Sequence, residues 1–209
     1  MARLAPMVWL AVAESDGRRC VGLVALSGGV FGAGVVQLLV GPIGQSDAFS
    51  LRVLVLLLLQ LMGPLTVALL STVVLLPTWL RRCSNEPSMA WQRQFCSALP
   101  VAPLLMVCFL AAGLLGGVLI TPRSDVVGEM SEIVRAIDPR ELVGAMLRCT
   151  VYLALPAVWC LREVRQGIRY NRDPADVASG TLLNSFLLVL VLRIFWMVVV
   201  EPIHLQRMF

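Results

Sequence analysis

The residues of this 209-residue chain that could do chemistry are few and scattered. There is one histidine, His204, and six cysteines that form no CxxC pair, so neither a zinc site nor a redox motif is indicated. No nucleophile stands beside a base and no carboxylates pair near an apolar stretch, which leaves enzymatic catalysis without a foundation. The catalytic and metal-ligating sets are therefore both empty. What stands out is polar material inside long hydrocarbon runs: Gln60, Arg148, Asn184 and Arg193. An arginine in a membrane interior costs about 2.5–3.5 kcal/mol even on lenient scales. It must therefore meet a partner, a water-filled cavity or a phosphate. A guanidinium binds phosphate bidentately, so one reading is a polar lining that receives an anionic lipid head group. The competing reading is snorkelling for Arg148, a structural ion pair for Arg193, and hydrogen bonding between helices for Asn184 and Gln60.

The elements that must position these residues follow from composition. The chain is 58% hydrophobic and 14% charged, with a mean hydropathy of +0.85, too apolar for a soluble domain of this size. A helix needs about 20 apolar residues to cross a bilayer. Five stretches meet that length: Val21–Val40, Leu51–Leu80, Ala98–Ile120, Leu142–Leu161 and Leu182–Val200. The expected fold is all-α and polytopic, with a five-helix transmembrane domain over 21–200 and a short tail at 201–209. Residues 1–20 are expected to form an interfacial helix and hinge. Met1–Ala13 has helically spaced apolar residues and ends in an AVA that mimics a signal-peptidase site, but it is short for a signal peptide. Glu14–Arg19 reads as the polar hinge.

All 17 basic residues are arginine. They form no basic stripe with interleaved aromatics, which argues against nucleic acid. Ten of them fall in the N-terminal segment, the Arg81–Ser97 loop and the Arg162–Gly180 loop. The intervening Gly41–Ser50 turn and Thr121–Glu141 loop are richer in acid. The positive-inside rule then places the N-terminus in the cytoplasm and the C-terminus outside. Within Thr121–Glu141 the run EMSEIVRAI has the spacing of a short amphipathic helix. Cys108, Cys149 and Cys160 read as small apolar residues within spans, and Cys83 and Cys96 share a cytoplasmic loop. Gly28 and Gly32 in the first span, and Gly113 and Gly117 in the third, are four apart and suit close helix packing. The Gly63-Pro64 step interrupts the second span, where lipid tolerates it only if a neighbour supports the freed backbone.

Four stretches taken together resemble one family. PLLMVCFLAAGLLGGVLI, Pro103–Ile120, looks like the PLLxVxFxAxGxxGGxL run of the MlaE (YrbE) permeases, the membrane subunits of ABC-type lipid transporters that work with MCE proteins. LSGGVFGAGVVQL, which contains Gln37, is similar to that family's SGVFxG segment. QLMGPLTVALL resembles its RELGPVVAALL, and ELVGAMLRCTVYLALPAVW its DLVxxxIKSxxF span. The resemblance implies five spans with an interfacial N-terminal helix, a multi-pass location in a bacterial inner membrane with the C-terminus periplasmic, and a lipid cavity walled by spans one, two and five. It puts Gln37, Gln60, Leu61, Gly63, Pro64, Arg148, Asn184 and Arg193 at that cavity. Arg81, Arg82, Trp91 and Arg93 would couple to the ATPase. It further implies a cytoplasmic ABC ATPase dimer that holds ATP and Mg, no cofactor on this chain, a periplasmic MCE ring, and phospholipid as cargo.

Departures are equally specific. Gln60 and Leu61 stand where the family has Arg-Glu, the segment between spans two and three is shortened to Arg81–Ser97, and Arg193 replaces an acid. Arg148 keeps the basic position of span four. These departures suggest a divergent subunit that pairs with a typical MlaE-like permease. A non-transporting scaffold for an MCE ring or a partner permease is the second function class. A small secretion-apparatus subunit would leave the PLL-to-GGVL match unexplained.

Overall fold

A computed structural model describes residues 6–43, 57–85, 90–120, 137–170 and 174–200. The described residues are almost wholly helical: α1 (Pro6–Ile43), a π-helical turn (Leu57–Met62) running into α2 (Gly63–Asn85), α3 (Ala90–Ile120), α4 (Pro139–Arg169), α5 (Pro174–Phe195) and a second π-helical turn (Trp196–Val200). Five helices are long and apolar enough to cross a membrane, over Leu10–Leu38, Gly63–Arg82, Gln94–Ile120, Pro139–Gly167 and Asp176–Val199. Five such helices among the described residues mark the chain as a membrane-embedded protein. The EMSEIVRAI stretch up to Ala136, the 44–56 and 201–209 segments and His204 lie outside the described residues.

Two expectations about boundaries change. Residues 14–19, read from the sequence as a hinge, continue α1 without a break. The polar side chain that would compete with the helix backbone there, Asp16, is instead engaged by Arg82 of α2. The Arg81–Ser97 segment, read as a loop, is helical up to Asn85 and again from Ala90. Cys96 is thereby a helical residue of α3. Helix α4 starts where the sequence supplies a cap. Asp138 Oδ1 accepts from the Arg140 amide at 2.9 Å, and Pro139 occupies the first helical position, where a missing N–H costs nothing.

Cross-helix contacts fix the topology. Gly28 and Gly32 of α1 meet Phe109 and Gly113 of α3 in the same order, so α1 and α3 run parallel. Asp16 with Arg82 and Arg19 with Thr78 set α2 antiparallel to α1. Asn184 with Glu163, and Val177 against Gly167, set α5 antiparallel to α4. The α1–α3 contact is the most extensive in the molecule, while α4 touches α2, α3 and α5 and occupies the centre. Its buried face, Ala145, Cys149, Leu153, Ala157, Cys160 and Val164, joins the main core. Eight of the ten arginines assigned above to one side lie in described residues, and the topology gathers them at one end of the bundle.

Glycine makes the α1–α3 approach possible. A Cβ on Gly28 would strike the Phe109 carbonyl, and one on Gly32 the backbone of Gly113. Gly116, next to the Gly117 singled out from spacing, carries the further contact, facing the backbone of Gly29. Close backbone approach of this kind lets van der Waals packing hold helices together where lipid removes the hydrophobic drive.

Candidate functional site

Among the described residues, four groups of polar side chains bear on the sequence-predicted site. At the arginine-rich end, α1, α2 and α3 share a buried network. Arg82 Nη1 and Nη2 donate to Asp16 Oδ2 and Oδ1 at 2.9 and 2.7 Å, and Nη1 also donates to Gln94 Oε1 at 2.9 Å. Gln94 Nε2 reaches Asp16 Oδ2 at 3.4 Å. Asp16 is 1% exposed and Gln94 3%. The two-pronged guanidinium–carboxylate geometry is the strong form of such a pair, and Arg19 adds a 2.7 Å bond to Thr78 Oγ1. Chain spacing gives no hint of this network, because its members come from three helices. In sequence its α1 member, Asp16, stands only as part of the polar Glu14–Arg19 run.

At the opposite end, Gln60 Nε2 donates to Glu141 Oε1 at 3.5 Å. This joins the π-helical turn to the first turn of α4, where a carboxylate also suits the helix dipole. Gly63 and Pro64 follow in the buried wall, with Met106 of α3 filling the space that a side chain at 63 would take.

Arg148 of α4 and Arg193 of α5 are the buried arginines of the spans. Both lie within spans and both are nearly enclosed, at 7% and 8% exposure. Arg148 Nε donates to the Gly144 carbonyl one turn earlier, at 3.3 Å. Leu192 of α5 and Trp196 at the start of the second π-helical turn, on either side of Arg193 in sequence, pack on a small cluster of Ala68, Tyr152 and Val189. Tyr152 is one turn from Arg148. The two side chains therefore belong to the adjacent helices α4 and α5.

The fourth is a cleft of about 200 Å³ at the arginine-rich end, between α4 and α5, lined by Glu163, Gln166, Tyr170, Asp176 and Thr181 among others. Asn184 belongs here. Its Nδ2 donates to Glu163 Oε1 at 2.7 Å in an exposed position, so Asn184 and Arg193 do not share a site. Gln37 is exposed on α1, Arg81 is exposed on α2, and Arg82 is engaged in the internal network. The side chains of Leu61, Trp91 and Arg93 lie outside the described residues. Among the described residues no group of three or more His, Cys, Asp or Glu is placed to hold a metal.

No protein-family model matches the chain, and no curated protein matches it in sequence.

Proposed function

We propose that this protein is the divergent permease subunit of an MCE-associated ABC transporter that moves phospholipid or a similar lipid across the cell envelope. It would sit in the bacterial inner membrane with its N-terminus cytoplasmic, paired with a typical MlaE-like permease. One observation carries the reading. The separate stretches that resemble the family meet in space: Gly28 and Gly32 of the first pack on Phe109 and Gly113 of the second, and Gly63 of the third on Met106. Ala102, one residue ahead of the PLL run, accepts a hydrogen bond from Cys149 of the fourth at 3.5 Å. Motifs that share one packing unit are a coherent set.

In this reading, hydrophobic walls hold acyl tails while Arg148 and Arg193 draw the anionic head group. ATP and Mg are bound on a separate cytoplasmic ATPase dimer, and the MCE ring receives or delivers lipid outside. A push at the α2–α3 end passes from Arg82 to Asp16 of α1 and Gln94 of α3, so three helices move as one body. Gln60 and Glu141 supply an amide and a carboxylate at the place where the family carries its charged pair.

Purification from the native membrane tests this. Co-purification of an ATPase, an MCE protein and a second permease, with phospholipid detected by mass spectrometry, is the expected result. The partners without lipid and without transport would instead identify a scaffold, and a self-assembled chain that transports would end the hetero-pair reading. Arg193→Ala is expected to reduce transport while leaving assembly intact. Loss of assembly would make Arg193 a structural ion-pair residue.

A further inference from the structure

Pro77 of α2, Pro100 and Pro103 of α3, and Pro156 of α4 stand in helix interiors. A proline there has no N–H for the carbonyl four residues earlier, and its ring clashes with that carbonyl. The weakened turns are therefore 73–77 in α2, 96–103 in α3 and 152–156 in α4. Prolines are the commonest place for a helix to bend.

Cross-helix contacts put these turns at one depth in the bundle. Arg19 bonds Thr78, which sets the 73–77 turn of α2 beside residues 20–24 of α1. Asp16 with Gln94 and Gly28 with Phe109 bracket the same part of α1 against 95–108 of α3. Cys149 donates to the Ala102 carbonyl at 3.5 Å, so the 152–156 turn of α4, running antiparallel, lies against the 96–103 turn of α3. The layer is about 10 Å thick, the rise of that α3 turn. On α1 it meets Gly22, with Gly17 at its edge, and a Cβ at either would meet nothing within 4 Å. No neighbour requires glycine at those two positions, in contrast to Gly28 and Gly32.

On either side of this layer the helices are braced. Toward the arginine-rich end, Asp16, Arg82 and Gln94 tie α1, α2 and α3 together. Toward the other end, Gly28, Gly29 and Gly32 lie against the backbone of Phe109, Gly113 and Gly116. Helix α5 passes this depth near Val189, which joins Tyr152, and it is the least buried of the five spans, so it constrains bending least.

We propose that these aligned turns form one transverse bending layer, on which the arginine-rich end tilts as a single body against the rest of the bundle. Movement of two braced bodies about a few weak turns is the general form of hinge motion. The device stands on the helices alone and holds whether or not the protein moves lipid. Leu119 lies 19 residues beyond Pro100 along α3, about 28 Å, so a bend of about 20° at the layer swings it by about 10 Å.

The test is pulsed electron-electron resonance on the full chain in lipid nanodiscs, with spin labels on p-acetylphenylalanine so that the cysteines stay in place. Arg81 and Leu119, both exposed, span the layer; Ala11 with Arg81, and Val30 with Leu119, are exposed pairs each within one body. The Arg81–Leu119 distribution is expected to be several ångström wider than either of the other two. Replacing the four prolines by Ala should narrow it to their width. Gly17→Ala with Gly22→Ala should narrow it in part, and serves alone if the proline variant does not fold. Gly34→Ala, equally open but outside the layer, should leave the width unchanged. A wild-type Arg81–Leu119 distribution as narrow as the two within-body pairs overturns the proposal. So does breadth that survives both the proline and the Gly17/Gly22 replacements, or equal narrowing by Gly34→Ala.

Discussion

Removing the guanidinium of Arg82 should destabilise the bundle more than removing the carboxylate it holds. In Arg82→Ala, Asp16 stays 1% exposed and keeps only the 3.4 Å bond from Gln94. Breaking a buried ion pair from one side costs about 3–5 kcal/mol. Arg82 retains 28% side-chain exposure, and Gln94 still serves the orphaned carboxylate. The expected loss is therefore about 2–3 kcal/mol, or about 5–10 °C in Tm for a chain of this length. Asp16→Ala leaves the opposite partner, and a partly exposed guanidinium can turn to water. That variant should lose only about 1 kcal/mol. Asp16→Asn combined with Arg82→Gln leaves three amides able to bond one another and should recover to within about 1 kcal/mol of wild type, because buried pairs are worth little once both charges are gone. Thermal unfolding of the purified protein in detergent, followed by circular dichroism, reads all three. Arg82→Ala melting within about 1 °C of wild type, or Asp16→Ala melting below Arg82→Ala, would refute the reasoning that desolvation of the carboxylate dominates.

Gly32→Val should cost about 2–3 kcal/mol or prevent folding, since the added atoms meet the Gly113 backbone and backbone cannot step aside. Gly34→Ala, with nothing within 4 Å of its Cβ position, should be neutral or stabilising by up to about 1 kcal/mol; the same melting assay compares the two. Asn184→Ala removes an exposed hydrogen bond to Glu163 and should shift stability by less than about 1 kcal/mol. Cys20, Cys149 and Cys160 are fully buried, so a maleimide should modify them only after unfolding, as intact mass before and after denaturation will show.

The number and type of the elements were legible because one physical demand dominates: about 20 apolar residues must run together for a helix to cross a bilayer. Their ends were not. Asp16, Arg82 and Gln94 look like loop residues when read singly, and each is admitted to a helix only because the others neutralise it across three chains of backbone. The same limit governs the candidate site. Asn184 and Arg193 look alike in sequence, as polar residues in one span. They are nine residues apart, which is two and a half helical turns and so opposite faces. Accordingly Asn184 is exposed beside Glu163, and Arg193 is enclosed with α5 against α4. Spacing by four marks a glycine face on α1 and Gly113 on α3, and it passes over Gly116, which makes the contact with Gly29. Two parallel helices drift past each other's faces, and an exact four-residue rule cannot follow the drift. The Gly63-Pro64 step shows the remaining case. The sequence says that a helix must be disturbed there, and the form of the disturbance is decided by neighbours. Met106 fills the space beside Gly63 and Glu141 waits for Gln60, so the break becomes a widened turn with a defined partner, where a kink alone would have left Gln60 in hydrocarbon.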